Sequence, residues 1–558
     1  MRAFFLGSSS SVTEPSTARD RAALGTAAVV AVLGSLFALA ALGFPLEGVD
    51  DANIIFVYAR NLVNGEGFVY TPGFERVEGF TSLLWTLVSA LIQALVARRH
   101  ELVTLGVSLL LTGVTVWCVL RTVFETTRSP GGRAAAALWV LGQSSFFAWS
   151  FATLMDLTLW SALLALGARA VLAPGLELET RGRRLALVVA LMVLTRPEAL
   201  LVGPALVALA AFQAWERGVT LGRVARAFSV PVVAFTVVAA ALTAFRWTYF
   251  GYPLPNTYYA KVSGDRLYNL LEGAKYVGRY FKAFPPRLLL LAPLGYGLLD
   301  LLRPRARRVL DASSRGAVLV LLLGLVLPLY GGGDHFAEHR FLVPFLPWVA
   351  LPLAELVART SEGRVRVLVA LVGLVALVGA GDFVRLFQGS RLVLEFQLAD
   401  EGRRMGQDLT REIGALGAKL GVSGAGGIAY GYDGRVVDLL GLNYTPMAHH
   451  RGARKGRHGH AAFSADVFWQ APPEVVGAHV FQNEPKHACG IIYPFENQIF
   501  GHLYQESRFR EEYEAAYFRG REVPYVAGFF RRDFLKGHSL PGLHRLNWPP
   551  SSDPACRP

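Results

Sequence analysis

Apolar stretches of membrane-spanning length recur along the first two thirds of the chain, and they constrain its fold more than any other feature. A helix needs about 20 apolar residues to cross the hydrocarbon core of a bilayer. Only 17% of the 558 residues are charged and 53% are hydrophobic, whereas soluble domains carry about 25% charged residues. The sequence therefore predicts a polytopic α-helical membrane protein.

The loops between the apolar strips indicate an orientation. Arginines cluster in the connectors 181–184, 217–226, 303–308 and 359–366, and such clusters lie on the cytoplasmic side of a membrane. This loop pattern accounts for the net charge of +13, so no nucleic-acid partner is predicted. The sequence has twelve apolar strips. If all of them crossed the membrane, the inside and outside loops would not alternate, so we expect about eleven transmembrane helices.

Hydropathy divides the chain into three predicted parts. Residues 1–22 form a cytoplasmic tail, and residues 23–381 form the transmembrane module with an outer loop at 44–78. The length of the first apolar stretch favours a membrane span over a cleavable signal peptide. Residues 382–558 are more polar, and the short apolar runs broken by glycine at 418–443 indicate mixed α/β structure. We therefore expect a C-terminal extracytoplasmic α/β domain.

Two adjacent carboxylates, Asp50 and Asp51, follow the first apolar stretch. Behind them, Ile54, Tyr58 and Leu62 recur at helical spacing, which predicts an amphipathic helix on the outer membrane surface. The pair has two interpretations. It caps this helix and complements its dipole, or it supplies a general base or a metal site through two coupled carboxyl groups. The residues alone leave both open.

Two further carboxylates, Glu78 and Asp156, are predicted to support this acidic pair. Glu78 lies in the loop that returns to the membrane beside the aspartates, and a salt-bridged turn with Arg76 is its alternative role. Asp156 lies between apolar strips without a nearby cation. A carboxylate there is costly unless it faces water, a partner or a cavity, and the start of an interfacial helix is its alternative.

Later outer segments carry basic, aromatic and amide side chains that suit a phosphate or a sugar. A Pro-Leu-Pro turn precedes one of these segments and three successive glycines precede another. The alternatives are a local ion pair between Arg196 and Glu198 and an aromatic belt of tyrosines. The predicted donor-binding residues are Arg196, Asn256, Tyr259, Lys261, Asp334, His335 and Arg340.

The sequence carries no strong metal motif. Cys118, Cys489 and Cys556 are too few and too scattered for a disulfide framework or a thiolate site, and the histidines near Asp334 lack the HExxH spacing. The histidine-rich run at 448–460 is predicted to be a solvated loop, with contact to an anionic glycan or to lipid headgroups as its alternative. No cofactor is predicted, and a divalent cation, Mg or Mn, is kept as an open alternative.

The stretch "DDANIIFVYARNLVNGEGFVYTPGFERVEGFTSLLW" resembles the first-loop signature of the GT-C superfamily glycosyltransferases. It is most similar to the family of the mycobacterial terminal arabinofuranosyltransferase and its uncharacterised bacterial relatives. The stretches "LTRPEALL", "GYPLPNTYYAK", "GGGDHFAEHRFLVPFLP" and "VVDLLGLN" look like later blocks of that family. Together these blocks span residues 48–443, which is most of the chain.

This resemblance implies a GT-C module, a polyprenyl-phosphate-linked sugar as donor and a catalytic aspartate in the first outer loop. Asp50 and Asp51 match the acidic motif of the superfamily. Asp156 matches a second acidic position, although "LMD" lacks the glycine of the usual "GxE". The family often has a tryptophan or methionine where this chain has His335 and Phe336.

The predicted function is a membrane glycosyltransferase in the bacterial inner membrane, with its active site facing the periplasm. It would move a sugar, on the resemblance a pentofuranose, from a polyprenyl-phosphate donor to an envelope glycan or glycolipid. Asp51 or Asp50 would be the general base, and Lys261, Arg340 and Arg196 would bind the leaving phosphate. The alternatives are a flippase for lipid-linked sugars, which predicts midplane polar residues and an inverted repeat, and a non-catalytic envelope scaffold.

Overall fold

The computed structural model describes residues 16–261, 265–450 and 462–548. Most of the predicted N-terminal tail, Cys556 and most of the histidine-rich run at 448–460 lie outside the described residues. The helices are α1 (Ser16–Ala41), α2 (Asp50–Val63), α3 (Leu83–Leu95), α4 (His100–Thr126), α5 (Pro130–Leu141), α6 (Ser144–Phe147), α7 (Leu157–Leu172), α8 (Leu178–Thr195), α9 (Ala199–Glu216), α10 (Leu221–Phe250), α11 (Asn256–Lys261), α12 (Arg266–Ala283), α13 (Leu291–Leu302), α14 (Ala312–Gly331), α15 (Ala350–Thr360), α16 (Val365–Phe387), α17 (Leu392–Ile413), α18 (Gly427–Gly431), α19 (Thr445–His449), α20 (Ala465–Gln470), α21 (Pro494–Ile499), α22 (Ser507–Glu512) and α23 (Arg532–Gly537). The strands are β1 (Leu420–Val422), β2 (Val436–Asp438), β3 (Val475–Phe481), β4 (Tyr513–Arg519), β5 (Tyr525–Arg531) and β6 (His544–Arg545).

The helices confirm a multi-pass helical membrane protein. Among the described residues, six helical segments are long and apolar enough to cross a bilayer, and a bent pair of helices raises the number to seven. The six segments are Thr17–Ala41, His100–Thr126, Ala199–Glu216, Leu221–Phe250, Ala312–Gly331 and Val365–Leu416.

The predicted count of about eleven spans is not confirmed. Three of the apolar strips in the sequence, at 134–148, 287–302 and 341–357, overlap α5, α13 and α15, which have 12, 12 and 11 residues. Helices of that length reach only about half of the way across a hydrocarbon core. The sequence pattern counted these strips as spans because the pattern shows apolar character and does not show where a helix breaks.

The bent pair consists of Ser144–Ala152, which ends in a π-helical turn, and Leu157–Leu172, with 116° between the two parts. Leu154 adopts a left-handed backbone conformation at the bend, with a φ of 58°. π-helical turns occur often at functional sites. The bend leaves Asp156 immediately before the first residue of α7, in a buried position.

Helix α2 begins at Asp50, as the apolar spacing predicts, and it is enclosed by the protein. Its place at the outer membrane surface stays a prediction. Ten of its fourteen residues are buried, because α3 packs on one side of it while α17 and α18 pack on another. The N-cap is Val49 and no side chain caps the helix. Asp50 and Asp51 therefore lie in the first turn, where they complement the helix dipole, and the capping interpretation is wrong.

The strands form one mixed sheet in the order β2-β1-β3-β5-β4-β6. Strand β1 runs parallel to β2 and β3, and the remaining pairs are antiparallel. Val475 and Phe530 pack into the same hydrophobic core as the membrane helices, whereas their neighbours Val476 and Phe529 face a second core. One face of the sheet is therefore docked against the helices. The domain boundary at 382 stays a prediction.

Candidate active site

Asp50 connects the first outer loop to the C-terminal part of the chain. Its carboxylate accepts hydrogen bonds from the backbone N–H groups of Gly426 at 3.0 Å and Gly427 at 2.7 Å. Gly426 approaches so closely that a Cβ atom there would lie 1.8 Å from the carbonyl oxygen of Asp50. Both carboxylate oxygens are thus occupied, and the Asp50 side chain is buried.

Asp51 has different surroundings from its neighbour. Its side chain keeps 22% of its surface exposed, and one carboxylate oxygen lies 3.9 Å from Lys261 Nζ and 3.8 Å from a terminal nitrogen of Arg340. The structure therefore divides the predicted pair. Asp50 holds the backbone at Gly426 and Gly427 in place, whereas Asp51 presents an accessible carboxylate between two cations.

Arg340 is held from several sides at once. Its guanidinium pairs with Asp334 and lies over the ring of Phe336 at 4.3 Å. It also interacts electrostatically with Asp51, Arg196 and Asp156. The residues predicted from four separate motifs therefore meet around one guanidinium group.

The turn before Arg340 has an unusual backbone. Glu338 and His339 have φ values of 63° and 53°, a left-handed conformation that residues with a Cβ atom rarely adopt. The Glu338 carboxylate accepts hydrogen bonds from Arg385 at 2.6 Å and from Ser145 at 2.7 Å. These bonds hold the turn in place and so fix the position of Arg340.

The two histidines of this motif, His335 and His339, pack against aromatic rings. Burial, followed by the charge of Arg287, lowers the pKa of His339 to about 4, and the ring packs between Tyr276 and Tyr280. A neutral, enclosed imidazole is poorly suited to hold a phosphate. His335 packs against the ring of Phe336 at 4.2 Å, and its predicted role in donor binding stays a prediction.

Asp156 and Arg196 form a buried ion pair, with 3.0 Å between Asp156 Oδ2 and a terminal nitrogen of Arg196. Arg196 also binds Glu198 at 2.8 Å, which is the local pair that the sequence left open. The local ion pair with Glu198 and a cationic partner for the buried Asp156 therefore both occur at Arg196. This cluster of two carboxylates around one guanidinium interacts electrostatically with Arg340 through Arg196 and Asp156.

Glu78 lies in a structural ion pair. It binds Arg246 on α10 through two carboxylate oxygens at 2.9–3.1 Å, rather than its sequence neighbour Arg76. Its backbone oxygen accepts a hydrogen bond from the N–H of Asn256. Glu78 thus joins the first outer loop to the segment that carries Lys261.

Asn256 and Tyr259 contact the C-terminal part of the chain. The Asn256 amide donates to the carbonyl oxygens of Gly441 at 2.7 Å and Leu442 at 3.1 Å. The ring of Tyr259 lies 4.2 Å from that of His449. These contacts position α11, and so the backbone that carries Lys261 at its end.

Sequence reasoning missed two carboxylates near the site. Asp438 ends β2 and accepts hydrogen bonds from the backbone of Leu440 and Asn443 and from the Asn443 side chain. Glu395 on α17 interacts electrostatically with Asp51 and Asp50. The block "VVDLLGLN" was a signal for Asp438, whereas no sequence pattern marked Glu395.

No group of three or more His, Cys, Asp or Glu side chains within 16–261, 265–450 and 462–548 is arranged to hold a metal ion. The divalent cation that the sequence left open stays untested.

Asp50 is expected to make stability depend on pH. Burial, opposed by the Gly427 N–H and reinforced by Asp51, raises the pKa of Asp50 from 3.8 to about 6. The folded protein then binds more protons than the unfolded chain between these values, so the unfolding free energy falls as the pH rises through about 4–6. Thermal unfolding in detergent at pH 4–7 measures this slope.

The Asp50→Asn variant should unfold with a flatter pH dependence than the wild type. Glu78→Gln is the matched comparison, because burial raises the pKa of Glu78 to about 7 despite Arg246, and its removal flattens the profile at higher pH. A wild-type slope that is unchanged in Asp50→Asn would contradict the assignment.

Comparisons with known proteins support the motif resemblance. No family model matches the chain. The terminal β-(1→2)-arabinofuranosyltransferase of Corynebacterium glutamicum is 27% identical over 358 residues, which cover 58% of this chain and 50% of that relative. The matched part is thus about half of the length of the curated relative.

Solved structures with the same fold include ArnT from Cupriavidus metallidurans. Its apo crystal structure matches with a TM-score of 0.52 and 14% identity, covering 92% of this chain and 99% of ArnT. The crystal structure of ArnT bound to undecaprenyl phosphate matches with a TM-score of 0.52 and 12% identity, covering 91% and 98%. At these identities the likeness concerns the fold alone. The resemblance to GT-C glycosyltransferases is therefore confirmed, through the sequence of an arabinofuranosyltransferase and the fold of ArnT.

Proposed function

We propose that this protein is a membrane glycosyltransferase that uses a polyprenyl-phosphate-linked sugar as donor. The observation that carries the proposal is the partly exposed carboxylate of Asp51, which lies within 4 Å of both Lys261 and Arg340. A base and a pair of cations at that spacing suit a reaction that deprotonates a hydroxyl group and releases a phosphate. The undecaprenyl phosphate bound to ArnT supports a lipid-phosphate donor.

In the proposed reaction, the Asp51 carboxylate takes the proton of an acceptor hydroxyl group. The hydroxyl oxygen forms a bond to the anomeric carbon of the donor sugar. The bond from that carbon to the phosphate oxygen breaks, and its electron pair stays on the polyprenyl phosphate. Lys261 and Arg340 stabilise the negative charge that grows there.

Arg196 stays a predicted phosphate ligand, although its guanidinium already binds Asp156 and Glu198. A doubly paired arginine has fewer free donors than Arg340 or Lys261. Its main contribution in the proposal is to the charge balance around Arg340.

The sugar and the acceptor are proposed from the curated relative. That relative is an arabinofuranosyltransferase, which supports a pentofuranose as the transferred sugar. The start of α18, at Gly426 and Gly427, binds Asp50, and α18 packs on α17. We therefore propose that the C-terminal part binds the acceptor, an envelope glycan or glycolipid.

We propose that the protein lies in the bacterial inner membrane with the site and the C-terminal part on the periplasmic side. Helix α8 has Arg181 in its first turns and ends next to Arg196, and its 18 residues make it about 27 Å long. The basic connector and the site thus lie at opposite ends of this helix, and a basic connector favours the cytoplasmic side. Cys489 is disulfide-bonded, which supports an oxidising compartment.

Cysteine labelling in intact spheroplasts tests this orientation. After treatment with a membrane-impermeant reductant, which frees both sulfurs of the Cys489 disulfide, an impermeant maleimide should label the peptide that contains Cys489. Peptide mapping of a Cys489→Ser variant should show that this labelled peptide is lost, while the former partner cysteine stays labelled. Cys118 is buried in α4 and should stay unlabelled. Labelling of Cys489 only after permeabilisation would reverse the proposed orientation.

A transfer assay tests the activity. Purified protein in liposomes would receive a radiolabelled polyprenyl-phosphate pentofuranose and an acceptor glycan. Label on the acceptor, with one polyprenyl phosphate released for each sugar, supports the transferase. Label that moves between leaflets and stays on the lipid supports the flippase instead, and protein-free liposomes are the control.

A further inference from the structure

Glu395 lies at the start of α17 and has no role in the site described so far. Its side chain is half-buried, yet within the described ranges it has neither a hydrogen bond nor an ion pair. The neighbouring site carboxylates Asp51, Asp156 and Asp334 each lie within 4 Å of a cation. A partly buried carboxylate beside these paired carboxylates, without a partner of its own, is a candidate for binding a ligand.

One face of α17 points this carboxylate at the site. Ala399, Gly402 and Gly406 form a stripe of small residues along the helix, and a Cβ atom on Gly402 or Gly406 would lie within 3 Å of the α18 backbone. Glu395 continues the same stripe one turn earlier. It therefore extends past the first residue of α18, Gly427, whose N–H binds Asp50.

Hydrogen bonds at both sides of Glu395 fix the helix in this position. Before it, the Ser390 hydroxyl donates to Glu338 at 2.8 Å, next to the turn that carries Arg340. After it, Arg403 donates to Asn53 on α2 at 2.6 Å. Helix α17 thus runs from the arginine turn to the helix that presents Asp51.

The charges around Glu395 indicate the chemistry of its ligand. Its electrostatic neighbours are Asp51, Asp50, Arg340 and Asp334, so carboxylates outnumber cations on this side of the site. A phosphate would be repelled there and would remain near Lys261. Hydroxyl groups of a sugar are neutral donors, and a carboxylate binds them through charge-assisted hydrogen bonds.

We infer that Glu395 binds a hydroxyl group of the acceptor sugar and orients the acceptor for Asp51. The inference rests on the proposed glycosyl transfer. It assigns the donor phosphate to the Lys261 side and the acceptor to the α17 side.

Kinetics of purified variants test the inference, with an octyl arabinofuranoside as the acceptor probe. Glu395→Gln should raise the KM for this probe about 10-fold, the loss of one charge-assisted bond, while the donor KM stays at the wild-type value. Glu395→Asp should recover part of the loss. Slow transfer of the donor sugar to water, which needs no acceptor, should change far less than transfer to the probe.

Glu401→Gln is the matched control, because Glu401 is an exposed carboxylate on the same helix and should leave both KM values unchanged. Equal acceptor KM values for the wild type and Glu395→Gln would overturn the inference, as would a rise in the donor KM. A wild-type protein that transfers no sugar, even to water, would instead remove the proposed function itself.

Discussion

Replacing Asp51 with asparagine is expected to lower the rate of sugar transfer by about 10²- to 10⁴-fold, the usual contribution of a general base. Asparagine keeps the size of the side chain and removes its ability to take a proton. The side chain is partly exposed and makes no short ion pair, so the variant should fold normally. Initial rates with radiolabelled donor, together with the melting temperature, separate activity from stability.

Asp50→Asn is the matched control for this experiment. The asparagine side chain could accept a hydrogen bond from one of the two N–H groups that Asp50 binds, but its amide nitrogen would face the other. We therefore expect a lower melting temperature and a smaller loss of rate per folded molecule than in Asp51→Asn. If Asp51→Asn worked at the wild-type rate and folded Asp50→Asn did not, the two roles would have to be exchanged.

Arg340→Gln is expected to have the second largest effect. It removes the cation beside Asp51 and leaves Asp334 without its charge partner. Loss of a group that stabilises transition-state charge lowers kcat by about 10²- to 10³-fold, and breaking a buried ion pair costs about 3–5 kcal/mol of stability. Rates and melting temperatures of the purified variant measure both effects.

Two further variants make the Arg340 result specific. Asp334→Asn combined with Arg340→Gln should recover stability, because no unpaired charge is left, but should not recover the rate. Arg279→Gln is a charge control, since Arg279 is exposed on the neighbouring helix α12. A double variant that transfers sugar at the wild-type rate would exclude Arg340 from leaving-group stabilisation.

The acidic pair illustrates what the sequence can and cannot predict about this site. Adjacent carboxylates at a membrane edge mark a functional candidate, since charge there is costly without a purpose. The division of work between Asp50 and Asp51 could not be predicted, because it depends on Gly426 and Gly427, which are more than 370 residues away along the chain.

For the basic residues, too, contacts between sequence neighbours can be predicted and contacts between distant residues cannot. The pair between Arg196 and Glu198 is local and could be foreseen, whereas the partner Asp156 lies 40 residues earlier and depends on the break before α7. Glu395 could not be predicted, because hydropathy falls near residue 382 and so separates its helix from the transmembrane module in the sequence. The stripe of Ala399, Gly402 and Gly406 against α18, together with the hydrogen bonds of Ser390 and Arg403, shows that this helix reaches the site.

The hydrogen bonds of Asp50 also determine when the site can form during translation. The partner Gly426 follows Asp50 by 376 residues, which a ribosome takes about 20–75 s to add at about 5–20 residues per second. Throughout the last part of this interval the segments that carry Lys261 and Arg340 are already made, while Asp50 still lacks both of its N–H donors. The site is therefore among the last parts of the nascent protein to form, however early its first aspartates enter the membrane.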